Sequence, residues 1–157
     1  MKYFLLTLLA LLASHALAEA EVEYRTGGKP FSNTWQQFYV VADHEPEIDD
    51  PLIAAGQRMV PAICEAISHP DMKRRRYAIS ALGYIGDARA LPSLESILRN
   101  AREIDYFRGD ALKSIYQIDK ALGTRYASQF RNQNGYLSMI ATAIARKEVW
   151  LTEPSEE

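Results

Sequence analysis

Apolar positions recur along most of this chain at helical spacing. From about Asn33 to Asp43 the residues Trp35, Phe38, Tyr39 and Ala42 fall at i, i+3, i+4 and i+7, which predicts an amphipathic helix. Residues 51–55 predict a short helical turn stopped by Gly56, since glycine enters the left-handed conformation without strain. Gln57 to Ser68 reads as a helix with Pro61 near its first turn, where a missing amide hydrogen costs little. A second helix over 72–85 carries the apolar stripe Ala78, Leu82 and Ile85, with Asp71 as its cap and Asp87 as the cap of the helix after it. Beyond the polar connection Arg99 to Asp105, a helix runs from Tyr106 to about Leu122 and stops near Gly123. Arg125 to Arg131 predicts a short helix and Asn134-Gly135 a turn. The last helix, about Tyr136 to Val149, places Leu137, Ile140 and Ile144 on one face.

Part of this pattern repeats. Laying Arg75 to Ile85 over Arg108 to Ile118, at an offset of 33, pairs Arg75 with Arg108, Ala78 with Ala111, Leu82 with Ile115 and Ile85 with Ile118. Upstream, VPAICEAI at 60–67 overlays LPSLESIL at 91–98 at an offset of 31, pairing Pro61 with Pro92 and Ile67 with Leu98. Two helical patterns per unit at such a period predict an α-solenoid. Pro61, Asp71, Arg75, Ala78, Leu82, Gly83, Ile85, Gly86 and Asp87 together resemble a HEAT repeat of the short, PBS-lyase-like kind. The second copy keeps Pro92, Asp105 and Arg108 but has Tyr116 and Asp119 where that family prefers glycines. The resemblance spans about 57–120. It implies an all-α fold, a short HEAT-like α-solenoid of antiparallel helix pairs with capping helices at both ends. It also implies that Arg75 pairs with inter-repeat aspartates such as Asp71 or Asp105, and that the second helices line a concave side.

The ends have a different character. Met1 and Lys2, the apolar run Phe4 to Leu12 and the small-x-small site Ala16-Leu17-Ala18 have the three parts of a secretory signal. The expected organisation is a signal peptide at 1–18, a flexible leader at 19–32, a HEAT-like domain at 33–150 with its clearest repeats at 57–86 and 87–120, and a disordered acidic tail at 151–157. A periplasmic or secreted location follows; the signal's apolar run is too short to cross a bilayer, and no integral span is expected in the mature chain. Cys64 is the single cysteine, so packing alone must supply stability. Formal charge is minus six over residues 19–50, plus seven over 51–147 and minus four over 148–157. A basic solenoid between acidic ends would attract an anionic partner, or its own acidic arms.

The candidate site is a face of the second helices. Lys73, Tyr77, Ser80 and Tyr84 lie at i, i+4, i+7 and i+11, opposite the apolar stripe, and the 33-residue offset carries them to Tyr106, Asp110, Lys113 and Gln117. Tyrosine offers a broad apolar face and a hydroxyl, which suits an interface. The run Lys73-Arg74-Arg75-Arg76 cannot serve one face, because consecutive helical residues point around the circumference. His44 and His69 lack ligand spacing, and no phosphate loop or nucleophile elbow occurs, so no metal, cofactor or catalytic residue is expected. Trp35 and Trp150 at the two ends offer an aromatic ligand platform, although end-capping asks for the same residues. The reading is an exported, monomeric, non-catalytic scaffold that binds another protein, and not nucleic acid, on its concave face. Its rival, implied by the resemblance, is a lyase or a chromophore- or small-ligand-handling protein, with Cys64 as the sole candidate thiol.

Overall fold

The computed structural model describes residues 31–40, 50–148 and 151. The expected signal segment, the leader up to Pro30, Ala42, the acidic stretch around His44, Trp150 and the tail from Thr152 lie outside them. Eight α-helices and no strand occur among the described residues: α1 Ser32–Val40, α2 Asp50–Ala55, α3 Val60–Ile67, α4 Arg75–Ile85, α5 Leu91–Arg99, α6 Asp105–Ile118, α7 Lys120–Phe130 and α8 Tyr136–Arg146. Helix α1 lies on α2, α3 on α4, α5 on α6 and α7 on α8, so helix pairs follow one another along the chain. The second members also pack in series, α2 on α4, α4 on α6 and α6 on α8. The all-α repeat architecture expected from the sequence is present.

The repeat is visible in how the first helices of the two central pairs begin. A 3-10 turn, Gly56–Met59 or Ala88–Ala90, leads into α3 or α5, and Pro61 or Pro92 sits at the first helical positions. Proline is favoured there because its amide would have no intrahelical partner. The two turns are tied together, since the Arg89 guanidinium donates to the Gln57 carbonyl at 2.9 Å. Asp87 caps the second turn by accepting from the Arg89 amide at 2.9 Å.

Each first helix ends on a side chain from a neighbouring second helix. The last carbonyls of a helix have no intrahelical donor and carry partial negative charge, so a guanidinium suits them. Arg75 Nε donates to the Ile67 carbonyl of α3 at 2.7 Å, and Arg108 Nε donates to the Leu98 carbonyl of α5 at 3.0 Å. These are equivalent positions in the repeat. Arg74 reaches the Phe38 carbonyl of α1 at 2.6 Å, and Ser138 Oγ donates to the Arg131 carbonyl just past α7 at 3.0 Å.

Several boundaries differ from the sequence expectation. Helix α4 starts at Arg75 and not near residue 72; its N-cap is Arg74, in a left-handed conformation at φ 57°, while Asp71 lies outside the cap position. A non-glycine residue there costs about 1–2 kcal/mol, which the bond from Arg74 to Phe38 helps offset. Helix α6 ends at Ile118, before the predicted Leu122, because Asp119 is extended and its carboxylate accepts from the Leu122 amide at 2.9 Å, opening α7. Gly123 is therefore inside a helix. It is needed for close approach, since a Cβ there would lie 2.5 Å from Tyr116 Cα. Beyond the two aligned copies, α7 and α8 form a further pair. Leu151, at the head of the expected acidic tail, is buried and its amide donates to the Glu148 carbonyl at 3.3 Å.

One core runs through the pairs. Ile63, Ile67, Ala78, Leu82, Leu94, Leu98, Ala111, Ile115 and Ile140 are fully enclosed, and the matched positions Ala78 with Ala111 and Leu82 with Ile115 all belong to it. At the N-terminal end Trp35 and Phe38 are also fully buried, with ring centroids 5.6 Å apart and Tyr39 stacked on Trp35 at 5.9 Å. Burial of Trp35 removes it as an exposed ligand platform and assigns it to end-capping.

Candidate protein-binding face

The four consecutive cations at 73–76 are sorted by the start of α4 to four different jobs. Lys73 is exposed to solvent. Arg74 terminates α1 as described. Arg75 is 4% exposed, pairs with Glu103 at 2.8 Å and lies over the Phe107 ring at 5.0 Å. Its acidic partner is thus the glutamate of the α5–α6 connection and neither Asp71 nor Asp105. The reason is position: Asp105 has turned to the N-terminus of α8, where its carboxylate accepts from the amides of Tyr136 at 2.5 Å and Leu137 at 3.2 Å.

Arg76 projects toward the next helices. Its Nε donates to Asp110 Oδ2 at 2.9 Å and its terminal nitrogen to the Tyr136 hydroxyl at 3.3 Å, while that hydroxyl donates to Asp110 Oδ1 at 2.9 Å. This closed triangle joins α4, α6 and α8. Gly109 makes room for it, because a Cβ there would stand 2.7 Å from Tyr136 Cε1. Asp110 is 5% exposed, and burial pushes its carboxyl above the usual range, against the pull of Arg76 and the Tyr136 hydroxyl. Burial works against the Arg76 charge, but Asp110 and Tyr136 outweigh it and the guanidinium stays protonated. Burial, then the neighbouring Asp110 carboxylate, pushes the Tyr136 phenol up to about 12.

The eight residues predicted to form the face therefore divide. Tyr84 is half-buried, with Lys113 Nζ 5.7 Å from its ring centroid, which brings two predicted positions together across α4 and α6. Tyr106 is 54% exposed, its ring tilted against that of Tyr136 with centroids 4.7 Å apart, with the Arg76 guanidinium 5.6 Å from its ring. Lys73 is exposed and Ser80 half-buried, whereas Tyr77 packs partly against the core. Asp110 is turned inward by Arg76. Gln117 presses its buried Oε1 toward Gly83, whose missing Cβ also lets α4 lie against Ser114. Ser114 Oγ donates to the Ile79 carbonyl at 2.9 Å and fixes that contact.

Sequence reasoning missed Arg76 and Tyr136. Repeat alignment carries Arg76 to Gly109, which offers no partner, and Tyr136 lies beyond the two aligned copies. On the first-helix row, Tyr126 of α7 donates to Glu95 of α5 at 2.5 Å and receives a bond from Arg99, whose guanidinium covers its ring at 5.3 Å. Cys64, on α3, is half-buried, and burial pushes its thiol up against an opposing hydrogen bond with Ser93. Among the described residues no group of three or more His, Cys, Asp and Glu side chains is placed to hold a metal ion, and no helix is long and apolar enough to cross a membrane.

Serial packing of second helices, each pair closed by its own first helix, defines an all-α helical repeat protein. Residues 74–100 match the family model of the PBS lyase HEAT-like repeat. The matched stretch holds α4, the turn after it and α5, and includes Arg75, Ala78, Leu82, Gly86, Asp87 and Pro92. No curated protein and no solved structure matches the chain.

Proposed function

We propose that this chain is a non-catalytic scaffold that holds another protein against the face formed by α4 and α6, with Tyr84, Tyr106, Tyr77, Lys73, Lys113 and Ser80 as contacts, Asp110 and Gln117 supporting them from within. The observation that carries the reading is the prior ordering of its aromatic side chains. Lys113 stands over Tyr84, and Arg76 with Tyr136 brackets Tyr106. A tyrosine held in place before binding loses little rotamer entropy when a partner covers it. The basic start, apolar run and Ala16-Leu17-Ala18 site support export of the protein, with Glu19 as the mature N-terminus.

Affinity capture from the exported fraction, followed by titration of the captured partner against Tyr84→Ala and Tyr106→Ala, tests the binding role. Each substitution is expected to weaken binding by about 2 kcal/mol or more, on the order of thirtyfold. Unchanged affinity for both would move the interface to the first-helix row around Cys64 and Glu95. Mass spectrometry of the same material is expected to find Glu19 first, and an intact Met1 in the cytoplasm would refute export.

A further inference from the structure

The α4, α6 and α8 row is chemically one-sided. These three helices contain only two carboxylates, Asp105 and Asp110, against the cations Arg75, Arg76, Arg108, Lys113 and Arg146, with Lys73 just ahead of α4. Both carboxylates are spent inside the protein. Asp105 accepts the first amides of α8, and Asp110 is enclosed between Arg76 and the Tyr136 hydroxyl. Arg75 and Arg108 also turn inward, onto the ends of α3 and α5. Lys73, exposed in the turn ahead of α4, the partly exposed Lys113 and Arg76, and the rings of Tyr84 and Tyr106 keep access to solvent. Such a surface attracts negative charge and offers broad rings to the chain that carries it.

Resting on the scaffold reading above, we infer that the partner presents an acidic segment, rich in glutamate or aspartate, that lies along the α4–α6 face between Lys73 and Lys113. Charge complementarity is the argument. The partner's carboxylates meet the lysines, and its apolar stems meet the tyrosines. Residues 148–157 of this chain are themselves acidic, with four carboxylates and no cation, which makes them the natural competitor for the same face.

Fluorescence anisotropy of the full chain with a short labelled peptide of alternating glutamate and glycine tests this, with the lysine and glycine counterpart as control. The acidic peptide is expected to bind, more weakly as salt rises, and the basic one not to bind. Lys73→Glu and Lys113→Glu should each lose about tenfold in affinity. Lys113→Gln, with its melting curve checked, gives a smaller loss and guards against misfolding, and Lys120→Glu at the start of α7 serves as a neutral control. Failure of the acidic peptide to bind, or equal affinity in the lysine variants, overturns the inference. Binding that emerges only after Glu153, Glu156 and Glu157 are changed to glutamine assigns the face to the chain's own tail and likewise overturns it. The scaffold reading stands or falls separately, on whether Tyr84→Ala and Tyr106→Ala weaken a captured protein partner.

Discussion

Single side chains decide how the repeat is closed, and two of them give direct tests. Leu82 is fully enclosed between neighbouring pairs, so Leu82→Ala removes buried methyl groups and leaves a cavity. The expected cost is about 2–5 kcal/mol in denaturant melts; a near-neutral result would mean that Leu82 is not in the core. Tyr136 tests the triangle by pH. Its folded pKa of about 12 lies above the ordinary value of 10.0, so the folded state holds the proton more tightly than the unfolded state. Its contribution is complete below pH 10 and is lost as pH rises toward 12. Tyr136→Phe is expected to cost about 1–3 kcal/mol at pH 9, where it leaves Asp110 and Arg76 short of a partner. The gap from the parent protein should narrow between pH 9 and 11, and a gap that stays constant would place the phenol outside the network.

Helix ends and crossings are governed by a few residues whose roles differ from their local propensities. Glycine in a helix interior is ordinarily less stable than alanine by about 1 kcal/mol. Gly123→Ala is nonetheless expected to destabilise the protein by about 1–3 kcal/mol, because the added Cβ meets the backbone of Tyr116 and not a flexible side-chain end. Thermal melts of the variant check this, and an increase in melting temperature would refute the close approach of α6 and α7. Read as sequence, Gly123 looks like a stop signal and Asp119 like a misplaced glycine. The structure reverses the two, since Asp119 ends α6 and caps α7 with one carboxylate. Periodicity alone could not find this joint, because the apolar spacing of α6 continues almost without a break into α7.

Across the whole molecule, each pair depends on its neighbours. Helix α6 packs on α4, α5, α7 and α8, whereas α1 has its main packing on α2. In a stack of nearest-neighbour contacts the centre opens only with the rest, while an end can open alone. Hydrogen exchange followed by mass spectrometry is therefore expected to show the slowest amides in α6 and faster exchange in α1. Equal protection of the two would argue against a stacked architecture.

The hydrophobic spacing and the offsets of 31 and 33 residues by themselves determined the helical class, the paired units around Pro61 and Pro92, and the core at Ala78, Leu82, Ala111 and Ile115, because these features follow from local periodicity and are matched between copies. The family resemblance implied a structural use of Arg75 but not its partners, the Ile67 carbonyl and Glu103; its counterpart Arg108 closes α5 as Arg75 closes α3. Only the tertiary structure decided which charges face outward. Arg75 took Glu103, Arg76 crossed to Asp110 and Tyr136, and Asp105 moved to the end of α8. Those choices depend on where helices distant in sequence come to lie, and a side chain's position around its own helix does not specify which neighbour will cover it.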